Sequence, residues 1–271
     1  MIDIHCHILP GIDDGAKDLA TSLEMARMAV EDGTETIVCT PHIMPGVFDN
    51  TPGDIRARVD RLAAELDAHG LPLRLLPGSD AHMRPDFVAA LTSDRVQPIG
   101  RGHYVLFEPP HNVAPPRIDE SLFNIAAAGW IPVLTHPERL AWLADRYDLV
   151  AELVTAGVLM QVTAGSITGV FGDRPRHLAE RMLGDGLVHV VASDAHNARR
   201  RNPRMSAAVA RCRELVGDTE ARHLVVTRPK IIVEDGPVAS MPPLPERRKP
   251  TAKTGLFGRL TSLFATGNGA G

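Results

Sequence analysis

The chain has 271 residues, 44% of them hydrophobic, which suits one large core or two modest domains, and a single α/β barrel is the natural size match. A formal net charge of -4 and a pI of about 6.3 give no global positive field, which argues against nucleic acid as a partner. Three cysteines, Cys6, Cys39 and Cys212, odd in number and without metal-pair spacing, argue against a disulfide framework and fit a reducing cytoplasm.

The opening MIDIHCHILPG has neither a basic n-region nor a long apolar h-region, and no later stretch reaches ~18 consecutive apolar residues. Neither a standard secretion signal nor a membrane-spanning segment is expected. Short apolar runs then alternate with charged, Ala-rich stretches. They predict a strand over 1–8, a helix over 19–32, a strand over 35–39, a helix over 54–69 and strands over 73–76 and 104–107. A helix over 120–128 and strands over 131–134, 158–162 and 188–192 follow, with helices before and after the last. Six or seven β/α units without a sequence repeat imply a mostly parallel sheet closed into a barrel over residues 1–238. From 239 to 271 the chain turns Pro-rich and basic, as in MPPLPERRKPTAK, and reads as a linker and tail. Within the tail, GLFGRLTSLF has helical apolar spacing behind a basic cluster. It is read as a tail helix that packs back on the barrel or stays disordered, or as one that touches a membrane surface or a partner.

In such a barrel chemistry belongs where strands run out into loops. His5 and His7 lie two apart at the end of the first strand, so both imidazoles face one side and Cys6 the other. In the Gly-flanked loop GIDDG, one carboxylate of Asp13 and Asp14 can bind or orient a ligand, or merely make a turn. Later strands end at CTPH with His42, LLPGSDAH with Asp80, VLFEPP with Glu108, VLTHPER with His136, and VVASDAH with Asp194 and His196. One such residue is an ordinary solvated group after a strand. Six successive strand ends delivering His, Asp or Glu imply a cation, because clustered carboxylates and imidazoles are costly without one. Imidazole and carboxylate without thiolate suit Mn, Fe or Zn better than Ca. His82, His103, His111, His177, His189 and His223 show no such placement and read as surface or core histidines. No CX5R loop follows Cys6 or Cys39, which argues against a cysteine nucleophile.

The stretches MIDIHCHILPGIDDGA, TIVCTPH, LLPGSDAH, LFEPP, THPERL, QVTAGSITGVFG and VVASDAHNARRRNP reach to about Pro203. Together they resemble the PHP-domain bacterial protein-tyrosine phosphatases of capsule and exopolysaccharide assembly, the CpsB/YwqE-like family. The resemblance implies a distorted (β/α)7 TIM-like barrel, the PHP fold, holding three divalent metal ions, with Mn first and Fe or Zn as alternatives. One ion would be held by His5, His7, Asp80 and Asp194, a second by Asp80 as a bridge with Glu108 and His136, and a third by Asp14, His42 and His196. At the bridge the family pattern has Glu, and this chain has Asp80, shorter by one methylene but equal in charge. The resemblance also marks Arg139 and Arg201 for gripping a phosphate, with Arg199 and Arg200 as neighbours able to take the second role. It implies hydrolysis of phosphotyrosine on a protein by metal-activated water, in the cytoplasm, with a bacterial tyrosine kinase as the substrate. A small-molecule phosphatase of the histidinol-phosphate kind, a noncatalytic scaffold and an amidohydrolase acting on a C–N bond are the rival readings.

Overall fold

The computed structural model describes residues 1–246, so the GLFGRLTSLF segment lies outside the described residues. In chain order the strands are β1 (Ile2–Cys6), β2 (Thr36–Cys39), β3 (His42–Ile43), β4 (Arg74–Pro77), β5 (Asp80–His82), β6 (Tyr104–Glu108), β7 (Ile131–Thr135), β8 (Leu159–Thr163) and β9 (Val190–Ala192). They form a three-stranded sheet, β1-β2-β4, and a six-stranded sheet, β3-β5-β6-β7-β8-β9, with every strand pairing parallel. The fold is α/β with parallel sheets, as the alternation in sequence implies.

Past two of the predicted strands, 35–39 and 73–76, the chain breaks and adds a further short strand. The pair β2 and β3 is interrupted at Thr40-Pro41, where the proline has no N–H for a ladder. The pair β4 and β5 is interrupted at Gly78-Ser79. A Cβ on Gly78 would sit 2.6 Å from Val38 Cγ1, so the two lines touch where no side chain fits. Each break moves the chain from the three-stranded to the six-stranded sheet. The far edges also meet: His7 N–H donates to Ala195 O and Asp194 N–H to His5 O, both at 2.8 Å, which ties the end of β1 to the residues just past β9.

Helices α1 (Leu19–Glu31) and α2 (Pro52–Ala68) cover the smaller sheet. Each starts at a side-chain cap: Asp18 accepts from Thr21 N–H, and Thr51 from Asp54 N–H with Pro52 in the first turn. In α2, Ile55, Val59, Leu62 and Leu66 recur at helical spacing and are buried against the strands. The larger sheet is covered by α3 (Phe87–Thr92), α4 (Ile118–Ala127), α5 (Asp148–Thr155), α6 (Ala164–Ile167), α7 (Asp173–Gly184), α8 (Ser206–Val216) and α9 (Asp218–Arg222). A separate apolar cluster draws Ile4, Val38, Leu106, Val133, Leu159 and Val190 together from both sheets.

Residues 239–246, read from the sequence as tail, run against the helix α10 (Arg228–Val233). Arg228 is fully buried. Its guanidinium pairs with Glu220 at 2.6 and 3.0 Å and donates to the carbonyls of Pro242 at 3.2 Å and Pro243 at 3.0 Å. A buried donor stripped of its acceptor costs roughly 1–3 kcal/mol. Ending the chain after Glu246 is therefore expected to leave the melting temperature unchanged, whereas ending it after Ser240 lowers it by several degrees. Calorimetry on the two truncations decides this, and equal melting temperatures would show that water replaces the two carbonyls.

Candidate metal centre

The C-terminal ends of the strands bring all nine sequence-predicted ligands to one place. His5 comes from β1 and His7 follows it, His42 opens β3, Asp80 opens β5 and Glu108 closes β6. His136 follows β7, Asp194 and His196 follow β9, and Asp14 arrives from the loop before α1. A register shift in β1 between Asp3 and Cys6 leaves His5 and His7 facing the cluster while Cys6 packs into the apolar layer under α1 and α2. His136 and Asp194 have left-handed backbone, with φ of 36° and 49°. A non-glycine residue holds that conformation only where its surroundings enforce it, which is common at functional sites.

Asp80 is at the middle of the group. Its Oδ2 lies 3.4 Å from His5 Nε2, 3.6 Å from His136 Nε2 and 3.7 Å from His42 Nδ1, so the shorter side chain still reaches three sides of the cluster. Asp194 Oδ1 lies 3.5 Å from both His5 Nε2 and His7 Nε2. Glu108 reaches His136 at 3.6 Å and His42 at 3.3 Å, and Asp14 reaches His42 at 3.5 Å and His196 at 3.3 Å. Within these residues, the sets His5, His7, Asp80 and His7, Asp14, His42, His196 each bring one ligand atom per residue within 4.8 Å of one another.

The donor set fits cations. Both Asp80 oxygens are buried without any hydrogen bond, an arrangement that costs heavily unless a positive charge is shared there. His5 Nε2 and His7 Nε2 face each other at 3.1 Å. Two imidazole nitrogens converge in this way around a shared proton or a metal ion. Their other nitrogens are held from behind: His5 Nδ1 by Gln161 Oε1 at 2.8 Å and His7 Nδ1 by Asp13 Oδ2 at 2.7 Å. A carboxylate or amide behind the imidazole fixes the tautomer that offers Nε2 to a metal. Asp13 also accepts from the N–H groups of Gly15 at 2.9 Å and His42 at 3.1 Å. A Cβ on Gly15 would meet His7 O at 2.2 Å, so glycine is what lets the GIDDG loop fold onto β1. The loop's two carboxylates thus divide the work: Asp14 faces the cluster and Asp13 orients His7.

Electrostatics follow from this crowding. Burial alone would lower the pKa of His5, but Asp80 and Asp194 raise it to about 9. Burial likewise opposes protonation of His42, and Glu108 and Asp80 raise it to about 10. Burial and His196 lower His7 to about 4, while burial and Arg139 lower His136 to about 4. Desolvation works against charge on Asp194 and Glu108, yet their neighbours hold both far below the ordinary carboxylate range: His5 and the two arginines for Asp194, and His111 and His42 for Glu108. The carboxylates stay ionised by drawing in protons and guanidinium groups, the place a divalent cation takes.

Arg139, in the 3-10 turn Pro137–Arg139, and Arg201 both converge on Asp194. Arg139 Nη1 and Arg201 Nη2 donate to its Oδ2, the latter at 2.8 Å. Both guanidinium groups lie over the Phe171 ring, 4.4 and 5.6 Å from its centroid. Phe171 belongs to the QVTAGSITGVFG stretch. Arg200 instead donates to Val170 O, and Arg199 borders a cavity of about 590 Å³ that opens beside Asp14 and His196.

Two histidines read from the sequence as surface or core residues stand beside the cluster. His111 Nε2 is 3.1 Å from Glu108 Oε1 and forms a potential ligand group with Glu108 and His136, and His82 Nδ1 is 3.5 Å from Glu108 Oε2. His111 sits on a loop, where no strand-end rule applies, and its only sequence signal is its place three residues after Glu108. His103 and His223 pair with Asp235 and Glu220 away from the cluster, and buried His189 accepts from Met160 N–H. Cys6 and Cys39 are fully buried, and burial pushes both thiols up, the opposite of an activated nucleophile.

Comparison with known proteins adds to this geometry. Residues 1–234 match the family described as capsular polysaccharide synthesis, CpsB/CapC. The chain is 34% identical over 249 residues to tyrosine-protein phosphatase YwqE of Bacillus subtilis, covering 92% of this chain and 98% of that protein. It is 30% identical over 243 residues to tyrosine-protein phosphatase CpsB of Streptococcus pneumoniae, covering 87% and 99%. It superposes with a TM-score of 0.85 and 35% identity, over 92% of this chain and 100% of the other, on a crystal structure from work on YwqE and CpsB, described as metal-dependent tyrosine phosphatases. A lactonase from Listeria monocytogenes, at 12% identity and a TM-score of 0.54, shares the fold alone.

Proposed function

From the premise that this chain belongs to the CpsB/CapC family of capsular polysaccharide synthesis, we propose that it is a metal-dependent protein-tyrosine phosphatase acting in exopolysaccharide or capsule regulation. The observation that carries the reading is the buried Asp80 carboxylate, without a hydrogen bond and faced by His5, His42 and His136. We assign three divalent ions, Mn before Fe or Zn. His5, His7, Asp80 and Asp194 would hold the first, Asp80, Glu108 and His136 the second, and Asp14, His42 and His196 the third. His111 is a further donor beside Glu108. Divalent cations in such a site supply Lewis acidity and make a water nucleophilic near neutral pH.

The chain's own residues do the rest. Gln161 and Asp13 hold the Nδ1–H of His5 and His7, so both Nε2 lone pairs stay aimed inward. Arg139 and Arg201 each spend one nitrogen on Asp194, and their remaining N–H groups are available to the phosphoryl oxygens, whose charge they stabilise as the ester bond breaks. No protein nucleophile is needed. The substrate is a phosphotyrosine protein, with a bacterial tyrosine kinase as the proposed target, and the site of action is the cytoplasm. No helix among the described residues is long and apolar enough to cross a membrane. Supporting a single distorted seven-stranded barrel over residues 1–238 are the two hydrogen bonds between the ends of β1 and β9 and the apolar cluster shared by both sheets.

Chelator-treated protein is expected to lose hydrolysis of a phosphotyrosyl peptide and to regain it with Mn, and to prefer that peptide over histidinol phosphate. Full turnover by protein verified free of metal would overturn the mechanism. Preference for histidinol phosphate would move the substrate to small molecules.

A further inference from the structure

A second cavity, of about 220 Å³, opens beside Arg201, whose Nη2 donates to Asp194. It is lined by Arg200, Arg201 and Arg204, with Asn202 and Thr168 as polar neighbours and Phe171 as a wall, and no carboxylate lines it. Three guanidinium groups around one small space repel one another unless an anion sits between them.

The hydrogen bonds of these arginines leave donors to spare. Arg200 uses one nitrogen on Val170 O and meets no carboxylate among the described residues. Arg201 keeps its Nε buried and without a partner, although its Nη2 is bound to Asp194. Arg204 meets Glu31 at 3.0 Å with one nitrogen, on a pair that is about half exposed and therefore weak. Each guanidinium carries five N–H groups, so the cavity offers several donors in the forked geometry that carboxylates and phosphates match. Its position matters as much as its charge. Arg201 lines this cavity and also touches Asp194, whose other oxygen faces His5 and His7. The space therefore lies one side chain from the cluster.

Resting on the phosphatase reading above, we propose that this cavity is a specificity subsite for an anionic side chain next to the substrate phosphotyrosine, either a carboxylate or a second phosphate. Arg201 then joins the two sites. The substrate class narrows from any phosphotyrosine protein to acidic or multiply phosphorylated tyrosine segments.

The test uses the metal-loaded full chain and three phosphotyrosyl peptides of equal length, with Lys, Glu or a second phosphotyrosine beside the target residue. Wild-type protein is expected to show kcat/KM about tenfold or more higher for one of the anionic peptides than for the Lys peptide, the better of the two identifying the ligand. In the double variant Arg200→Ala/Arg204→Ala this ratio falls toward one, while turnover of a small aryl phosphate and metal content stay at wild-type levels. The single variants Arg200→Ala and Arg204→Ala give intermediate ratios and guard against loss of folding in the double. A wild-type ratio near one, or a ratio that survives in the double variant, overturns the subsite and leaves the phosphatase reading intact. Failure of metal-loaded wild type to hydrolyse the peptides and the aryl phosphate alike overturns the phosphatase reading and the subsite with it.

Discussion

Asp80→Asn is expected to yield a folded protein that hydrolyses a phosphotyrosyl peptide at least ~10²-fold more slowly and binds less divalent metal. The side chain is fully buried, and its Oδ2 faces His5, His42 and His136 at 3.4 to 3.7 Å, so a single carboxylate serves several sides of the cluster. Asparagine keeps the shape and removes the charge. Losing even a partner behind a metal ligand typically costs ~10–100-fold in affinity or activity, and Asp80 stands in front. Asp80→Glu separates charge from reach: it keeps the carboxylate, matches the pattern of the resembling family, and is expected to retain most of the turnover. Elemental analysis, steady-state kinetics and circular dichroism on both variants decide the matter. Unimpaired turnover in Asp80→Asn would remove the shared carboxylate from the mechanism.

The sequence shows the cluster because parallel strands deliver their ends to one side of a sheet. A His, Asp or Glu at the ends of six apolar runs is therefore a statement about three dimensions, and these eight residues, with Asp14 from its loop, do meet. Other features had no comparable signal. The break at Gly78-Ser79 depends on the contact between Gly78 and Val38, which are distant in sequence, and the short strands that follow both breaks carry no apolar run of their own. His111 approaches Glu108 from an irregular loop, where no periodicity fixes direction. Gln161 lies inside an apolar strand and gains meaning only from His5, 156 residues away. The division between Asp13 and Asp14 is equally invisible in GIDDG, since adjacent carboxylates differ there only in which way the loop turns them. Composition changes near 239, but it does not record that the carbonyls of Pro242 and Pro243 satisfy buried Arg228.

Arg139→Ala and Arg201→Ala are each expected to lower kcat/KM by ~10²-fold or more, the usual scale for removing a donor that meets charge developing in a transition state. The structure adds a second duty to the proposed phosphate grip. Both guanidinium groups hold Asp194 Oδ2, and the same carboxylate presents Oδ1 to His5 and His7. With either arginine gone, the other still clamps Asp194, so each single variant should keep its metal. With both gone, a carboxylate that is 2% exposed loses both of its guanidinium partners, and metal content should fall along with turnover. Lysine recovers only part of the loss at either position, because a point charge keeps the Coulomb attraction without the planar fork that can hold Asp194 and a phosphoryl oxygen at once. The Phe171 ring beneath both groups favours the flat guanidinium for the same reason. Kinetics with elemental analysis on the two alanine variants, their lysine counterparts and the double variant separate the duties. Wild-type kcat/KM in both single variants would mean that the arginines serve Asp194 alone, and metal loss in either single variant would show that anchoring the carboxylate is not shared between them.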